Sequence, residues 1–406
     1  MRILIVSNTY PPADISGVGA LVYELAHQLG GKGHDVVVLT RRAPAGDPYA
    51  VGTEGRKLLY PLLAGFLFLR LLRRGSFDLV HVHESDGVMV ILLLRLLRLL
   101  GAKGGQARLV STLQVSYRRE RWSVRPVRAL GAGGSGKVLS RPTADERLFA
   151  YLRAPLHAFL GRLTVWLSDA LVAPSRVTAG ELEEDYGARG VRVIANGIRA
   201  TDLEAAGRAR SHAGERPPTV LYVGRLRTRK AVAVLLEAFL EVRRRLPDAR
   251  LVVVGDGEQR AALEARKNEL GFGGAVLFTG PLGREKIVPF YGQADVYCLP
   301  SLYEGFPVAI LEAMAAALPV VSTTVSGIPE AVFPGATGLL VEPEDVAGLA
   351  AALVALLENR ERARAYGEAG RELLERKFSI EVVTREYLEL WQELLGPEIG
   401  GLKGAT

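Results

Sequence analysis

Ten short apolar runs, each separated from the next by a helical stretch, leave this 406-residue chain few ways to fold. Five lie at residues 3–6, 35–39, 79–82, 109–113 and 170–173; five more lie at 219–223, 250–254, 275–278, 296–299 and 319–322. Strands that alternate with helices pair in parallel, because a helical crossover brings each strand back in the same direction. Such sheets carry helices on both faces, so their strands are continuously apolar. At 199–218 the pattern lapses into Ala, Gly, Arg and two prolines, which reads as a linker. A chain this long exceeds what one core fills. The expected fold class is α/β: two Rossmann-like, doubly wound parallel-sheet domains, 1–198 and 219–380, facing across a cleft, with a terminal segment 381–406. In these folds ligands bind beyond the carboxyl ends of the strands.

Residues 294–300 read as a buried strand, and Ser301-Leu-Tyr-Glu304-Gly305-Phe306-Pro307 follows it as a loop. A helix is expected from 308, with Pro307 suited to its first turn. A helix N-terminus presents free N–H groups and a positive dipole end, which suits a phosphate. Glu304 before the helix and Glu312 inside it are acceptors for sugar and ribose hydroxyls. A site gripping both phosphate and hydroxyls suits a nucleotide sugar. Tyr222-Val-Gly224-Arg225-Leu-Arg227-Thr-Arg229-Lys230 also sits between a strand end and a helix. There Arg225 offers a planar fork of donors and Lys230 a point charge, a pair fit for a diphosphate. Gly17-x-Gly19, after the first strand, lets backbone approach a ligand. Val22 stands where the dinucleotide fingerprint wants a third glycine.

Several features carry less. Gly131-Ala-Gly-Gly-Ser-Gly136-Lys137-Val138 lacks the Ser/Thr of a Walker A loop, and with basic 118–128 before it reads as a flexible loop of the N-terminal domain. His81 and His83 share a strand face without a third metal ligand and read as a polar strand end lining the cleft; no metal site is assigned. Cys298, the one cysteine, lies in an apolar strand, reads as a packed small hydrophobe and fits a reducing compartment. Met1-Arg-Ile-Leu-Ile-Val enters a strand at once, so no signal peptide is expected and the setting is read as cytoplasmic. Residues 60–72 and 88–100 are too short and too interrupted by Arg70, Arg95 and Arg98 to span a bilayer. They read as helices on the sheet, with interfacial helices as the alternative. Residues 1–200 hold 27 Lys and Arg against 16 Asp and Glu, whereas the remainder is acidic by four. That asymmetry predicts an acidic partner for the N-terminal half. No nucleic-acid motif accompanies the charge, so no nucleic acid is expected.

Together these residues resemble the family-4 retaining glycosyltransferases, which have the GT-B fold. The resemblance covers nearly the whole chain. It is carried by Glu304-Gly305-Phe306-Pro307 through Leu311 and Glu312, by Gly224-Arg225-Leu226 with Lys230, and by Ala195-Asn196-Gly197-Ile198. Val254-Gly255-Asp256-Gly257 and Thr337-Gly338 add to it. It implies that Arg225 and Lys230 hold the donor diphosphate, that Glu304 and the Gly305–Pro307 backbone hold the transferred sugar, and that Glu312 holds the ribose. Gly17 and Gly19 would close over the phosphates and acceptor, Leu282 would lie near the base, and the final helix, near 380–395, would cross back to the N-terminal domain. Two departures stand out. Gln114 occupies the place of a usual His, and can donate to the sugar but cannot act as acid or base near neutral pH. Ala231 stands where a Gly often follows the Lys.

The expected activity is metal-independent transfer of a sugar from a nucleoside diphosphate to a hydroxyl acceptor, without cofactor. The basic N-terminal half points to an anionic lipid or lipid-linked glycan as acceptor, at the inner face of the membrane. The rival readings are a relative that binds nucleotide sugar without turnover, suggested by Gln114, a nucleotide-sugar epimerase, and a nicotinamide oxidoreductase, which would need the absent glycine fingerprint.

Overall fold

The computed structural model describes residues 1–12, 16–55, 59–129, 136–210 and 216–396. The chain forms two compact units. The first comprises residues 1–117, 156–199 and the segment from 378; the second comprises 118–155 and 200–377.

The first unit is built on a seven-stranded parallel sheet: β1 (Arg2–Val6), β2 (Asp35–Thr40), β3 (Ala50–Gly52), β4 (Leu79–His83), β5 (Arg108–Thr112), β8 (Ala170–Ala173) and β9 (Arg192–Val193). Their spatial order is β3-β2-β1-β4-β5-β8-β9. Strand alternation divides the core into two layers. Ile3 and Ile5 face the helix Gly17–Gly31 and the final helix Ile380–Leu395, whose Tyr387 and Trp391 are fully buried. Leu4 and Val6 face the helices Tyr60–Leu72 and Val88–Leu99. Both layers are apolar, which explains why these runs lack alternation.

The second unit holds a six-stranded parallel sheet: β10 (Thr219–Val223), β11 (Arg250–Val254), β12 (Val276–Gly280), β13 (Val296–Leu299), β14 (Val320–Thr323) and β15 (Gly338–Val341), ordered β12-β11-β10-β13-β14-β15. The order reverses between β10 and β13, so the loops after these neighbours diverge to opposite faces and leave a crevice at their carboxyl ends. In the first unit the equivalent reversal falls between β1 and β4.

Three features differ from the sequence reading. The stretch read as linker contains a helix, Thr201–Arg210, where Gly207 packs so closely on Ala316 that an added Cβ would lie 2.5 Å from its carbonyl oxygen. Residues 118–155, read as a loop of the N-terminal domain, group with the second unit. They are structured: a helix Tyr117–Ser123, an antiparallel ribbon of β6 (Val127–Arg128) and β7 (Val138–Ser140), and a helix Ala144–Leu148. Gly131–Ser135 of the near-Walker sequence lie outside the described residues. Pro307 is the N-cap of its helix, Val308–Ala315, rather than a residue of its first turn.

Candidate active site

In the second unit the reversal between β10 and β13 brings together the two loops singled out in the sequence. After β10, Gly224 donates its N–H to the Val254 carbonyl and Leu226 donates to Asp256. These backbones press on each other: a Cβ on Gly255, at φ +133°, would lie 2.0 Å from the Gly224 carbonyl oxygen. Only glycine fits there. Tyr222 Oη donates to the Arg225 carbonyl at 2.9 Å, and the loop closes in a 3-10 turn, Thr228–Lys230. Ala231 follows at φ +50°, where an L-residue with a Cβ is strained.

Glu304 lies on the other loop, 5% exposed. Lys230 Nζ donates to its carboxylate, Ser301 Oγ donates at 2.6 Å, and Arg229 lies at 3.5 Å. Burial alone would raise the Glu304 carboxyl, but Lys230 and Arg229 hold it below the usual carboxylate range. Burial pushes the Lys230 ammonium down against the pull of Glu304. Arg229 also donates to the Tyr303 carbonyl at 2.9 Å and lies 3.5 Å from Glu120. Two cations and two carboxylates thus balance within this cluster. Beyond Gly305, Phe306 and Pro307 the helix Val308–Ala315 begins without a side-chain cap, which leaves first-turn N–H groups for an anion. Leu311, within that helix, is fully buried. Glu312 accepts from Tyr291 Oη at 2.8 Å and from Arg284 at 3.2 Å, and burial raises its carboxyl against these partners. Leu282 follows β12, half-buried.

In the first unit the expected residues are more enclosed than the sequence suggests. Ser16 caps the helix Gly17–Gly31 by accepting from the Gly19 N–H at 3.0 Å, so that amide faces its own cap. Gly17 is exposed. His81 and His83 do not form an open polar strand end. Both are buried; His81 bonds Thr112 Oγ1 at 2.8 Å and packs on Tyr387 and Trp391. Burial lowers both imidazoles, that of His83 to about 3. Gln114 and Asn196 form a reciprocal amide pair, with both N–H···O distances 2.9 Å. That pair ties the end of β5 to the segment after β9. Glu84, at φ +66°, accepts from the Gln114 N–H and Tyr117 Oη.

The sequence reading missed Glu120, Ser301, Arg284 and Tyr291. Glu120 was legible in part, as the single acid within basic 118–128. The pairings of Arg284 and Tyr291 depend on how the helix Arg284–Gln293 lies beside Glu312, which no local pattern encodes.

Two family models match this chain, Glycosyltransferase Family 4 over residues 15–202 and Glycosyl transferases group 1 over 205–373. Glycogen synthase of Mycobacterium tuberculosis is 32% identical over 401 residues, covering 95% of this chain and 92% of that protein. A GDP-mannose-dependent alpha-(1-6)-phosphatidylinositol monomannoside mannosyltransferase of Mycolicibacterium smegmatis is 36% identical over 177 residues, covering 42% of this chain and 46% of that one. The solved structure of sucrose-phosphate synthase from Thermosynechococcus elongatus superposes with a TM-score of 0.78 at 23% identity, over 97% of this chain and 98% of the other. The chain belongs to glycosyltransferase family 4 and has the GT-B fold.

Proposed function

We propose that the chain transfers a sugar, with retention of anomeric configuration and without a metal, from a nucleoside-diphosphate sugar to a hydroxyl of an acceptor at an anionic membrane surface. The observation that carries the donor half is the meeting of Lys230, Arg229 and Glu304 beside the uncapped helix Val308–Ala315, with Glu312 about one turn along it. Arg225 and Lys230 take the diphosphate, Glu304 and the 305–307 backbone take the sugar, and Glu312 takes the ribose. The sugar C1–phosphate bond breaks as C1 bonds the acceptor oxygen on the same face. The acceptor proton passes to the departing phosphate. Negative charge grows on that phosphate, and the preorganised cations and helix N–H groups stabilise it there. Side-chain cations in this role leave no step that requires a metal. Gln114, bonded to Asn196 and without a titrating group, has no part in proton transfer.

The acceptor half rests on the first unit. The helices Tyr60–Leu72, Val88–Leu99 and Ala154–Leu167 contain no Asp or Glu. They expose Phe66 at 70%, Leu99 at 85% and Trp166 at 79%, with Arg70, Arg73 and Arg74 exposed beside them. Apolar side chains ringed by arginine suit the interface of an anionic bilayer. Among the described residues no helix is long and apolar enough to cross a membrane. The phosphatidylinositol mannoside relative, named for a lipid acceptor, supports the same reading.

A metal-free panel of UDP-, GDP- and ADP-sugars, with product anomers read by NMR, tests the donor half. One donor turned over with retention is expected, and inversion or dependence on a divalent ion refutes the mechanism. Sedimentation with anionic and neutral vesicles at low salt tests the other half. Binding that ignores lipid charge, or survives Phe66→Ser with Arg70→Glu, refutes it. The Gln114–Asn196 pair favours one alternative, binding without turnover, which activity gained only in Gln114→His would support.

A further inference from the structure

Residues 118–155 reach the diphosphate loop through a carboxylate that the reaction does not use. Glu146 lies in the short helix Ala144–Leu148, 6% exposed. One of its oxygens accepts from the Thr228 N–H at 2.6 Å. The other accepts from Thr228 Oγ1 at 2.6 Å, Gln259 Nε2 at 2.8 Å and the Thr143 N–H at 2.9 Å. None of these donors is a cation. Burial would raise this carboxyl, but the hydrogen bonds from Thr228, Thr143 and Gln259 together hold it below the usual range. A buried carboxylate satisfied by neutral donors costs desolvation and is retained where its geometry specifies something.

What it specifies is the loop between Arg225 and Lys230. Thr228 stands between the two cations and opens the turn that carries Lys230. Its N–H has no partner within that turn, so Glu146 supplies one. Gln259 donates to Thr228 Oγ1 at 2.7 Å, and its own N–H donates to the Leu226 carbonyl at 2.9 Å. The loop is therefore held at Leu226 and Thr228. Glu120, from the same inserted segment, pairs with Arg229 one residue on. We propose that Glu146 is a positioning residue for the donor diphosphate: it sets the spacing of Arg225 and Lys230, and the inserted segment thereby tunes donor affinity. This rests on the donor reading above.

The test compares UDP, GDP and ADP with uridine, guanosine and adenosine, measured by calorimetry and ligand-observed NMR on the full chain. The diphosphate that binds wild type should bind Glu146→Ala about tenfold more weakly, the scale of hydrogen bonds to a charged group, while its nucleoside binds as before. Glu146→Gln should do no better, since its NH2 would face donors. Should Glu146→Ala fail to fold, Thr228→Val removes one donor and keeps the side-chain shape; a smaller loss, again confined to the diphosphate, is expected. Equal weakening of nucleoside and diphosphate would mark Glu146 as merely structural and overturn the proposal. So would wild-type diphosphate affinity in both variants. A wild type that binds none of the three diphosphates would overturn the donor reading, and this proposal with it.

Discussion

The buried charge cluster makes a prediction whose size can be worked from the structure. Lys230 and Glu304 have side-chain exposures of 14% and 6%, so water screens their pairing little. Removing one partner of such a pair costs about 3–5 kcal/mol, chiefly because a buried charge is left behind. In Lys230→Met the stem volume is kept and Arg229 remains 3.5 Å from the carboxylate, so the lower end applies, about 3 kcal/mol. Glu304→Gln removes the charge that Lys230 answered. The double variant should therefore lose less than the sum of the singles, with a coupling of about 2 kcal/mol. The pH dependence has a definite sign. In wild type the depressed Glu304 carboxyl contributes stability that is present above its unfolded value, about 4.3, and lost as pH falls through its folded value. In Lys230→Met only Arg229 and Ser301 still oppose burial, so the carboxyl should rise and protonation should relieve the buried charge. The penalty of Lys230→Met should thus be largest near pH 7.5 and shrink towards pH 4.5. Hydrogen exchange by mass spectrometry, read on peptides from 219–345, reports the second unit without assuming that both units unfold together. A coupling below about 0.5 kcal/mol, the limit of ordinary additivity, or a penalty that grows on acidification, would refute the reasoning.

Ala231→Gly should relieve left-handed strain of about 1–2 kcal/mol and lose part of that gain to backbone entropy, for a net rise of up to about 1 kcal/mol in local stability by the same exchange measurement. His81 and His83 are held neutral by burial, so the first unit should lose stability as pH falls below about 6.5, and His83→Phe should flatten that loss in a thermal-unfolding series. Burial pushes the Cys298 thiol up, so native protein should resist a thiol reagent until urea exposes β13; rapid labelling of native protein would contradict this placement.

Both sheets were legible because parallel strands buried on two faces leave continuous apolar runs, and every run read from the sequence matches a strand to within about two residues. Of the strands missed, Ala50–Gly52, Val127–Arg128, Val138–Ser140 and Arg192–Val193 are too brief for any pattern, whereas the edge strand Gly338–Val341 is as long as some that were read. The Arg225–Lys230 and Glu304–Glu312 stretches stood out because unusual residue types sit at strand ends, and the fold brings Lys230 and Glu304 together. What the sequence could not yield was side-chain pairing across long separations. Nothing local distinguishes a Gln114 open to a substrate from one bonded to Asn196, 82 residues away. Nor does composition reveal that the basic, glycine-rich segment 118–155 contributes two of its three acids, Glu120 and Glu146, to a loop about 80 or more residues further along the chain.

The backbone itself points to the same places. Among the described residues six non-glycine positions have positive φ: Glu54, Glu84, Ala231, Ala317, Ser326 and Glu344. Such strain persists only where surrounding contacts over-determine it. Glu84 follows β4 at the first sheet's reversal and is fixed by Gln114 and Tyr117. Ala231 ends the Arg225–Lys230 loop, and Ser326 accepts the Glu304 N–H at 3.2 Å. Glu344 takes the Arg125 guanidinium through both oxygens and also the Arg128 N–H, so it anchors the inserted segment. Four of six strained residues therefore sit at a sheet reversal, at the charge cluster or under the insertion. The contacts of Glu146, Glu120 and Glu344 hold the segment 118–155 and the Arg225–Lys230 loop as one structure, with strain accepted locally where those contacts over-determine the backbone.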